Sequence, residues 1–359
     1  MFSDTSDATG YAASASSIEQ EPAASGIRSI HSRLSAGHAG PTAFVFSGGG
    51  ARGALHVGAL RALLEAGIRP DMLVGTSIGA WNAAWLAHTP TLAGVEALAS
   101  IWTSLQPGQA LLGRPNSFWS RTHALKGLLM LEALRRVASG SASLYSDAGL
   151  RQILAQHFTG MTFEDLTLPL SVIATNLSRG GRAIFRHGPI IEAVLASSAI
   201  PGIFPPVSIG GTVYADGGMV DGCSVETAIE MGARRIFVLA IGYDAEADDG
   251  ARWLTAGDQA APTNRGMAGR SAPSVIQRAS QVMGNYQIVR ELERAPRGVE
   301  THLISLSPGV GGGSLNFRNV AGWIESAYSA TRAYLSATYT RGASAVRRSE
   351  GAAVVSLSA

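Results

Sequence analysis

Two hydrophobic patterns alternate along the first half of the chain. Ala43–Phe46 is a short uninterrupted apolar run, as expected of a strand buried on both faces. After a cluster of glycines, Leu55, Ala59, Leu60, Leu63 and Leu64 recur at the spacing of a helical stripe. Gly67 stands where such a helix would close. Arg69-Pro70-Asp71 then leads into a second apolar run, Met72–Val74, and the alanines and tryptophans after Gly79 predict a second buried helix. Strands alternating with helices in this way imply an α/β fold, with a parallel sheet covered on both sides.

Residues 106–145 break that rhythm with Pro107, Pro115, Phe118, Trp119 and the amphipathic stretch HALKGLLMLEALRRV. Two readings stand side by side: a helix packed on the flank, or a cap over an apolar substrate site. Leu111, Leu112, Phe118, Trp119, Leu128, Leu129 and Leu131 supply the apolar set, with Arg114, Arg121, Lys126, Arg135 and Arg136 interleaved. That mixture suits contact with an anionic bilayer surface. Beyond it, Ser146 is placed to cap a helix over Asp147–His157, and LPLSVIATNL (168–177) reads as a buried strand. GPIIEAVLASSAIPGIFPPV (188–207) reads as a helix closed by two proline-containing turns. VSIGGTVYADGG predicts a hairpin turning at Gly210-Gly211, which leaves Asp216 at a strand end. A helix SVETAIEMG and a strand RIFVLAIG follow, then a polar, Gly/Pro-rich stretch at 243–273 expected to be a mobile loop. The final elements predicted are a helix Val275–Leu292, a strand His302–Leu306 and a helix Asn319–Leu335. Residues 1–40 are small and polar without the basic and apolar regions of a signal peptide, and read as a disordered tail. With 341–359 as a second tail, one domain over 41–340 remains.

Composition narrows the function classes. A net charge of +2, with no Lys/Arg block, gives no footprint for nucleic acid. Cys223 is the single cysteine, so neither an internal disulfide nor a thiolate metal cluster is expected. No H-E-x-x-H pattern is present, and neither a metal nor a cofactor is anticipated. The uncharged stretch Met72–Val95 is long enough for a membrane span, but Gly, Thr, Ser, Asn, His and Pro interrupt it, so it reads as core. The expected location is cytoplasmic or at a membrane periphery.

Three short motifs carry candidate chemistry. Gly75-Thr76-Ser77-Ile78-Gly79 puts a serine between glycines at a strand-to-helix junction. A tight turn there presents a hydroxyl as a nucleophile, although a helix-capping serine would give the same pattern. Gly48-x-Gly50-x-x-Gly53 fits a dinucleotide-binding fingerprint, but its acidic partner should follow the second strand, and Asp71 precedes it. Backbone N–H groups at such a turn also hold an oxyanion. Asp216-Gly217-Gly218 is either an ordinary turn or a carboxylate base with room beside it for another backbone. No histidine is well placed for a triad: His302 lies within a strand-like segment, and His56 and His88 lie on helices.

In this order, G-G-G-x-R-G (48–53), G-T-S-I-G (75–79) and D-G-G (216–218) resemble the patatin-like phospholipases. The similarity extends through ASSAIPGIFPPV, SLYSDAGLRQIL and LNFRNVAGWIESAYSATRAYL, and covers roughly residues 42–336. The resemblance implies a three-layer α/β/α sandwich with a central, mainly parallel sheet. It also implies a Ser–Asp dyad, with Ser77 as nucleophile and Asp216 as base. Gly48, Gly49, Gly50, Ala51, Arg52 and Gly53 would form the oxyanion turn, with Ile78 contributing. Gly75 and Gly79 would shape the nucleophile turn, and Gly217 and Gly218 the approach to Asp216. The expected substrate is a phospholipid or another acyl ester, met in transient contact with a membrane surface. The rivals are a polyester or thioester hydrolase, a nucleotide-binding module using Gly48–Gly53, and a catalytically idle regulatory relative.

Overall fold

The computed structural model describes residues 40–105, 124–242, 272–307, 317 and 319–341. The expected tails, the 106–123 part of the candidate cap and the 243–271 loop lie outside the described residues. The chain opens with β1 (Thr42–Phe46), a single 3-10 turn (Gly50–Gly53) and α1 (Ala54–Glu65). β2 (Met72–Thr76) and α2 (Ile78–His88) repeat that strand–turn–helix order, and α3 (Leu92–Ser104) follows. After α4 (Ala124–Ala138) and α5 (Ala148–Phe158) come β3 (Leu170–Asn176), β4 (Arg182–Phe185) and α6 (Ile190–Ser197). The hairpin β5 (Val207–Ile209) and β6 (Thr212–Asp216) precedes α7 (Val225–Glu230) and β7 (Arg235–Ile241). α8 (Ala272–Glu293), β8 (Glu300–Leu306) and α9 (Val320–Arg341) complete the described strands and α-helices.

The strands form one mixed sheet in the order β5-β6-β3-β2-β1-β7-β8, with β4 also paired to β3. β3, β2, β1, β7 and β8 run parallel, whereas β4 and β6 are antiparallel to β3. Alternation along β1 divides the core in two. Phe44 and Phe46 enter the larger cluster with α1, α2, α3, α6 and α9, while Ala43 and Val45 face the smaller one with Val225, Ala228 and Ile288. Helices therefore cover both faces, the three layers the resemblance implies.

Two elements had no sequence expectation. α3 begins where Thr91 accepts a hydrogen bond from the Gly94 N–H, a cap hidden within a nearly charge-free run. β4 has only four residues, all half-buried, and gains strand character from pairing with β3. Several boundaries shift. Ser146 does accept the Ala148 N–H, yet the helix covers Ala148–Phe158, one residue later than expected. α9 continues to Arg341, past Leu335, because Tyr339 still packs on the core. The hairpin turns at Gly210 and Gly211 as expected, with φ of 57° and 76°.

β2 and β6 share one edge of β3. Thr76, the last residue of β2, pairs with Ile173, and Asp216, the last residue of β6, pairs with Ala174. The carboxyl ends of β1 and β2 open onto the same edge of the sheet, where Phe46 lies beside Gly75. In open α/β sheets that edge is where ligands bind.

Candidate active site

Ser77 leaves the sheet sharply. Its φ of 56° and ψ of −128° make it the only non-glycine with positive φ among the described residues. Strain of this kind persists only where surroundings over-determine it. Here β2 ends at Thr76, immediately before Ser77, and α2 begins at Ile78, immediately after it. A Cβ on Gly79 would stand 2.5 Å from the Phe46 carbonyl oxygen, and one on Gly75 would meet Ala80, so neither glycine of the turn accepts a side chain.

The Ser77 hydroxyl donates to Asp216 Oδ2 at 2.6 Å. Both residues are buried, at 6% and 7% exposure, so the bond is well shielded from water. Burial pushes the Asp216 carboxyl up to about 6, against the hydrogen bonds from Ser77 and the Gly218 N–H that pull it down. Asp216 is held through its backbone as well as its side chain. Oδ1 accepts from the Gly218 N–H at 2.8 Å, Thr175 Oγ1 donates to the Asp216 carbonyl at 2.7 Å, and the Asp216 N–H donates to the Ala199 carbonyl at 2.9 Å. Gly217 is needed because a Cβ there would lie 2.4 Å from the Ile173 carbonyl oxygen. A buried serine hydroxyl on a carboxylate of this basicity is a pair suited to proton transfer near neutral pH.

The glycine turn lies against the pair, with Gly48 close enough that a Cβ there would be 3.4 Å from Ser77 Cβ. Its residues divide by role. The Gly48 N–H donates to the Gly222 carbonyl at 3.2 Å, so it anchors the turn to the chain beyond Asp216. Gly50 adopts φ 61° and opens the 3-10 turn, whose leading N–H groups, on Gly50 and Ala51, precede its first internal hydrogen bond. Arg52 folds back so that Nε donates to the Gly49 carbonyl at 3.3 Å, steadying the loop. Gly53 sits deepest: a Cβ would press on Ile78 and Trp102, and its carbonyl accepts from Asn82. The first N–H of α2, on Ile78, points out of the same junction.

Sequence reasoning missed the supports beneath this site. Fully buried Asn82 donates from Nδ2 to the Gly53 carbonyl at 2.9 Å and to His56 Nδ1 at 3.1 Å, while Oδ1 accepts from Trp102 Nε1 at 3.0 Å. His56 Nε2 faces the Leu239 carbonyl and so carries the proton, and burial holds the ring down at about 3, hence neutral. One polar residue inside the apolar run AWNAAW was the only signal of this hub. Gln287 Oε1 accepts from the Gly222 N–H at 2.8 Å, which braces the peptide that holds Gly48.

The other four histidines among the described residues are engaged elsewhere. His302 contacts Glu300 and Tyr334, His187 contacts Glu164, and His88 and His157 pack on Phe158 and Trp85. Asp71 accepts from the Thr42 N–H at 2.7 Å, at the start of β1. It is therefore at the opposite sheet edge from Gly48–Gly53, which removes the acidic partner a dinucleotide site requires. Among the described residues no group of three or more His, Cys, Asp or Glu is arranged to hold a metal, and no helix is long and apolar enough to cross a membrane.

Parts of this chain are similar to known proteins. Patatin-like phospholipase domain-containing protein 7 of Rattus norvegicus is 29% identical over 208 residues, covering 57% of this chain and 14% of that protein. Lysophospholipase nte1 of Emericella nidulans is 29% identical over 198 residues, covering 55% of this chain and 12% of that protein. This chain thus corresponds to a small part of those relatives. Among solved structures, VipD from Legionella pneumophila aligns with a TM-score of 0.45 at 17% identity, over 83% of this chain and 67% of that one. A human GIVD cytosolic phospholipase A2 aligns with a TM-score of 0.42 at 13% identity, over 88% and 60%. The sequence pattern of the patatin-like phospholipase family matches residues 44–229, more than half of the chain. That span runs from β1 through the glycine turn, Ser77 and Asp216 into α7, and this protein is a member of the patatin-like phospholipase family.

Proposed function

We propose that this protein is a lipid acyl hydrolase that cleaves carboxylic esters through Ser77 and Asp216. The observation that carries the reading is the 2.6 Å hydrogen bond from a strained, buried serine to a carboxylate whose pKa is raised to about 6. As Ser77 Oγ attacks the acyl carbonyl carbon, its proton passes to Asp216 Oδ2. The carbonyl oxygen becomes an oxyanion held by the leading N–H groups of the glycine turn, on Gly50 and Ala51, and by that of Ile78. Collapse breaks the ester C–O bond, and the leaving alkoxide takes the proton from Asp216. Water then gives a proton to the regenerated Asp216 carboxylate and attacks the acyl-serine, and Ser77 Oγ leaves with that proton as the acid is released.

A second observation bears on how substrate is met. The described side chains of the amphipathic stretch include Met130, Leu131, Leu134 and Val137, each about 60% exposed or more. A flanking helix that buried these residues would not present them to solvent. The segment that follows α4 is tied to the loop after α6, where the Leu144 N–H donates to the Gly202 carbonyl at 2.8 Å. This links the segment after the helix to the loop that follows Ala199, the partner of Asp216. The reading is contact of this face with an aggregated lipid surface. Phe118, Trp119, Leu111 and Leu112, also invoked for the cap, lie outside the described residues.

The test is covalent labelling with a fluorophosphonate probe followed by mapping of the modified peptide. Label on Ser77, absent from Ser77→Ala, is the expected result. Label on another residue overturns the assignment. Turnover of micellar phospholipid against soluble p-nitrophenyl esters and thioesters then separates lipid hydrolysis from its rivals.

A further inference from the structure

Ser197, the last residue of α6, is fully buried and stands where β2 and β3 part. Its Oγ accepts the Ser77 N–H at 2.7 Å and donates to the Ile173 carbonyl at 2.5 Å. A hydroxyl has a single proton, and with that proton on Ile173 the direction of the Ser77 bond is fixed. Two residues later, the Ala199 carbonyl receives the Asp216 N–H at 2.9 Å. One short segment thus grips the backbone of both members of the pair.

We propose that Ser197 is a positioning residue for the nucleophile, its hydroxyl replacing the strand contact that Ser77 loses on leaving the sheet and so holding Ser77 Oγ on Asp216. This rests on the acyl hydrolase reading above. The positive φ at Ser77, with ψ of −128°, is a sparsely populated conformation that costs an L-residue roughly 1–3 kcal/mol. It needs local restraint. α2 supplies restraint only from the carboxyl side of Ser77, and the Ser197 bond is the matching restraint on its N–H. Without it, two buried groups, the Ser77 N–H and the Ile173 carbonyl, lose their partner. The turn can then relax so that Oγ drifts from Oδ2. Ser197 touches neither Oγ nor the carboxylate, so its effect passes entirely through Ser77.

The experiment compares the full-length parent, Ser197→Ala, Ser197→Cys and Ser197→Thr on a soluble p-nitrophenyl ester, with rates expressed per site titrated by a fluorophosphonate. Small misplacements of reacting groups cost up to about 10²-fold. Ser197→Ala is therefore expected to lower kcat per titrated site by roughly 10- to 100-fold while KM holds. The acid limb of its pH profile moves upward, because the Ser77 bond that lowers the Asp216 pKa is weakened. Ser197→Thr, which keeps the hydroxyl, stays nearer the parent than Ser197→Cys, whose sulfur accepts poorly; this pair carries the test if Ser197→Ala does not fold. The proposal is overturned if Ser197→Ala and Ser197→Cys turn over at the parental rate per titrated site. It is equally overturned if only the number of titratable sites falls, or if KM rises at constant kcat. A parent that takes no label at Ser77 overturns the hydrolase reading and this inference with it, whereas a labelled parent with parental Ser197 variants overturns this inference alone.

Discussion

Thr76 and Asp216 occupy successive rungs on one edge of β3, paired with Ile173 and Ala174. β2 ends where β6 ends, from opposite directions, and the next residue of β2 is Ser77. The hydroxyl and the carboxylate meet because two strands share the edge of a third, although they stand 139 positions apart in the chain. No loop has to close to bring them together, and the pair inherits the rigidity of the sheet.

Replacing Ser77 separates chemistry from strain. Ser77→Ala and Ser77→Gly are both expected to lose ester hydrolysis and fluorophosphonate labelling. Glycine tolerates the positive φ that costs an L-residue roughly 1–3 kcal/mol, so Ser77→Gly should melt above Ser77→Ala. Thermal melts of the two purified variants check the order, and parental activity in either removes Ser77 as nucleophile.

Asp216→Asn should reduce kcat by about 10²–10⁴-fold, the range for loss of a general base. The parent's kcat/KM should fall with an acid limb near the Asp216 pKa of about 6 and level off above it. Stability moves in the opposite sense from activity. The native pKa of about 6 lies above the unfolded carboxylate value, so the native state binds this proton more tightly. This group therefore adds stability as pH falls below about 6 and costs stability at neutral pH, when its charge is buried. Asp216→Asn should consequently melt no lower than the parent at neutral pH, with its relative advantage shrinking in acid. Scanning calorimetry at both pH values tests the sign. A larger loss of kcat in His302→Ala than in Asp216→Asn would point to a triad instead.

Gly50→Ala forces a side chain onto a φ of 61° at the head of the glycine turn. Loss of one oxyanion donor typically costs roughly 10²–10³ in rate, and that is the expected fall in kcat, with little change in KM. An unchanged kcat would show that this turn does not hold the oxyanion.

Leu131→Ser/Leu134→Ser tests the exposed face of α4. Both residues are more than half exposed, so the fold should tolerate the change. Activity on phospholipid vesicles should fall while turnover of a soluble short-chain ester survives. Equal losses on both substrates would show the helix to be structural.

Much of the site was legible in the residues alone. The contrast between the Ala43–Phe46 run and the helical stripe from Leu55 identified the α/β alternation, because those periods depend only on neighbours a few positions apart. The glycines around Ser77 and after Asp216 marked where backbones crowd, and a Cβ at Gly79 or Gly217 would indeed collide with a carbonyl. β4 was not legible, since four half-buried residues have no period of their own until β3 lies beside them.

The tertiary structure decided how those marked residues act on one another. Only the shared edge of β3 brings Asp216 to Ser77, and only burial there raises its pKa to about 6. The Gly48 N–H was expected in the oxyanion turn, but its direction was set by a carbonyl 174 positions away, on Gly222. Ser197 and Asn82 read as small or polar residues within apolar helices until Ser77, Ile173, Gly53 and His56 surround them. The physical reason is one of range. Hydrophobic period and turn propensity are properties of adjacent residues, whereas a hydrogen-bond partner, a dielectric environment and a strained φ are properties of whatever the fold places a few ångströms away.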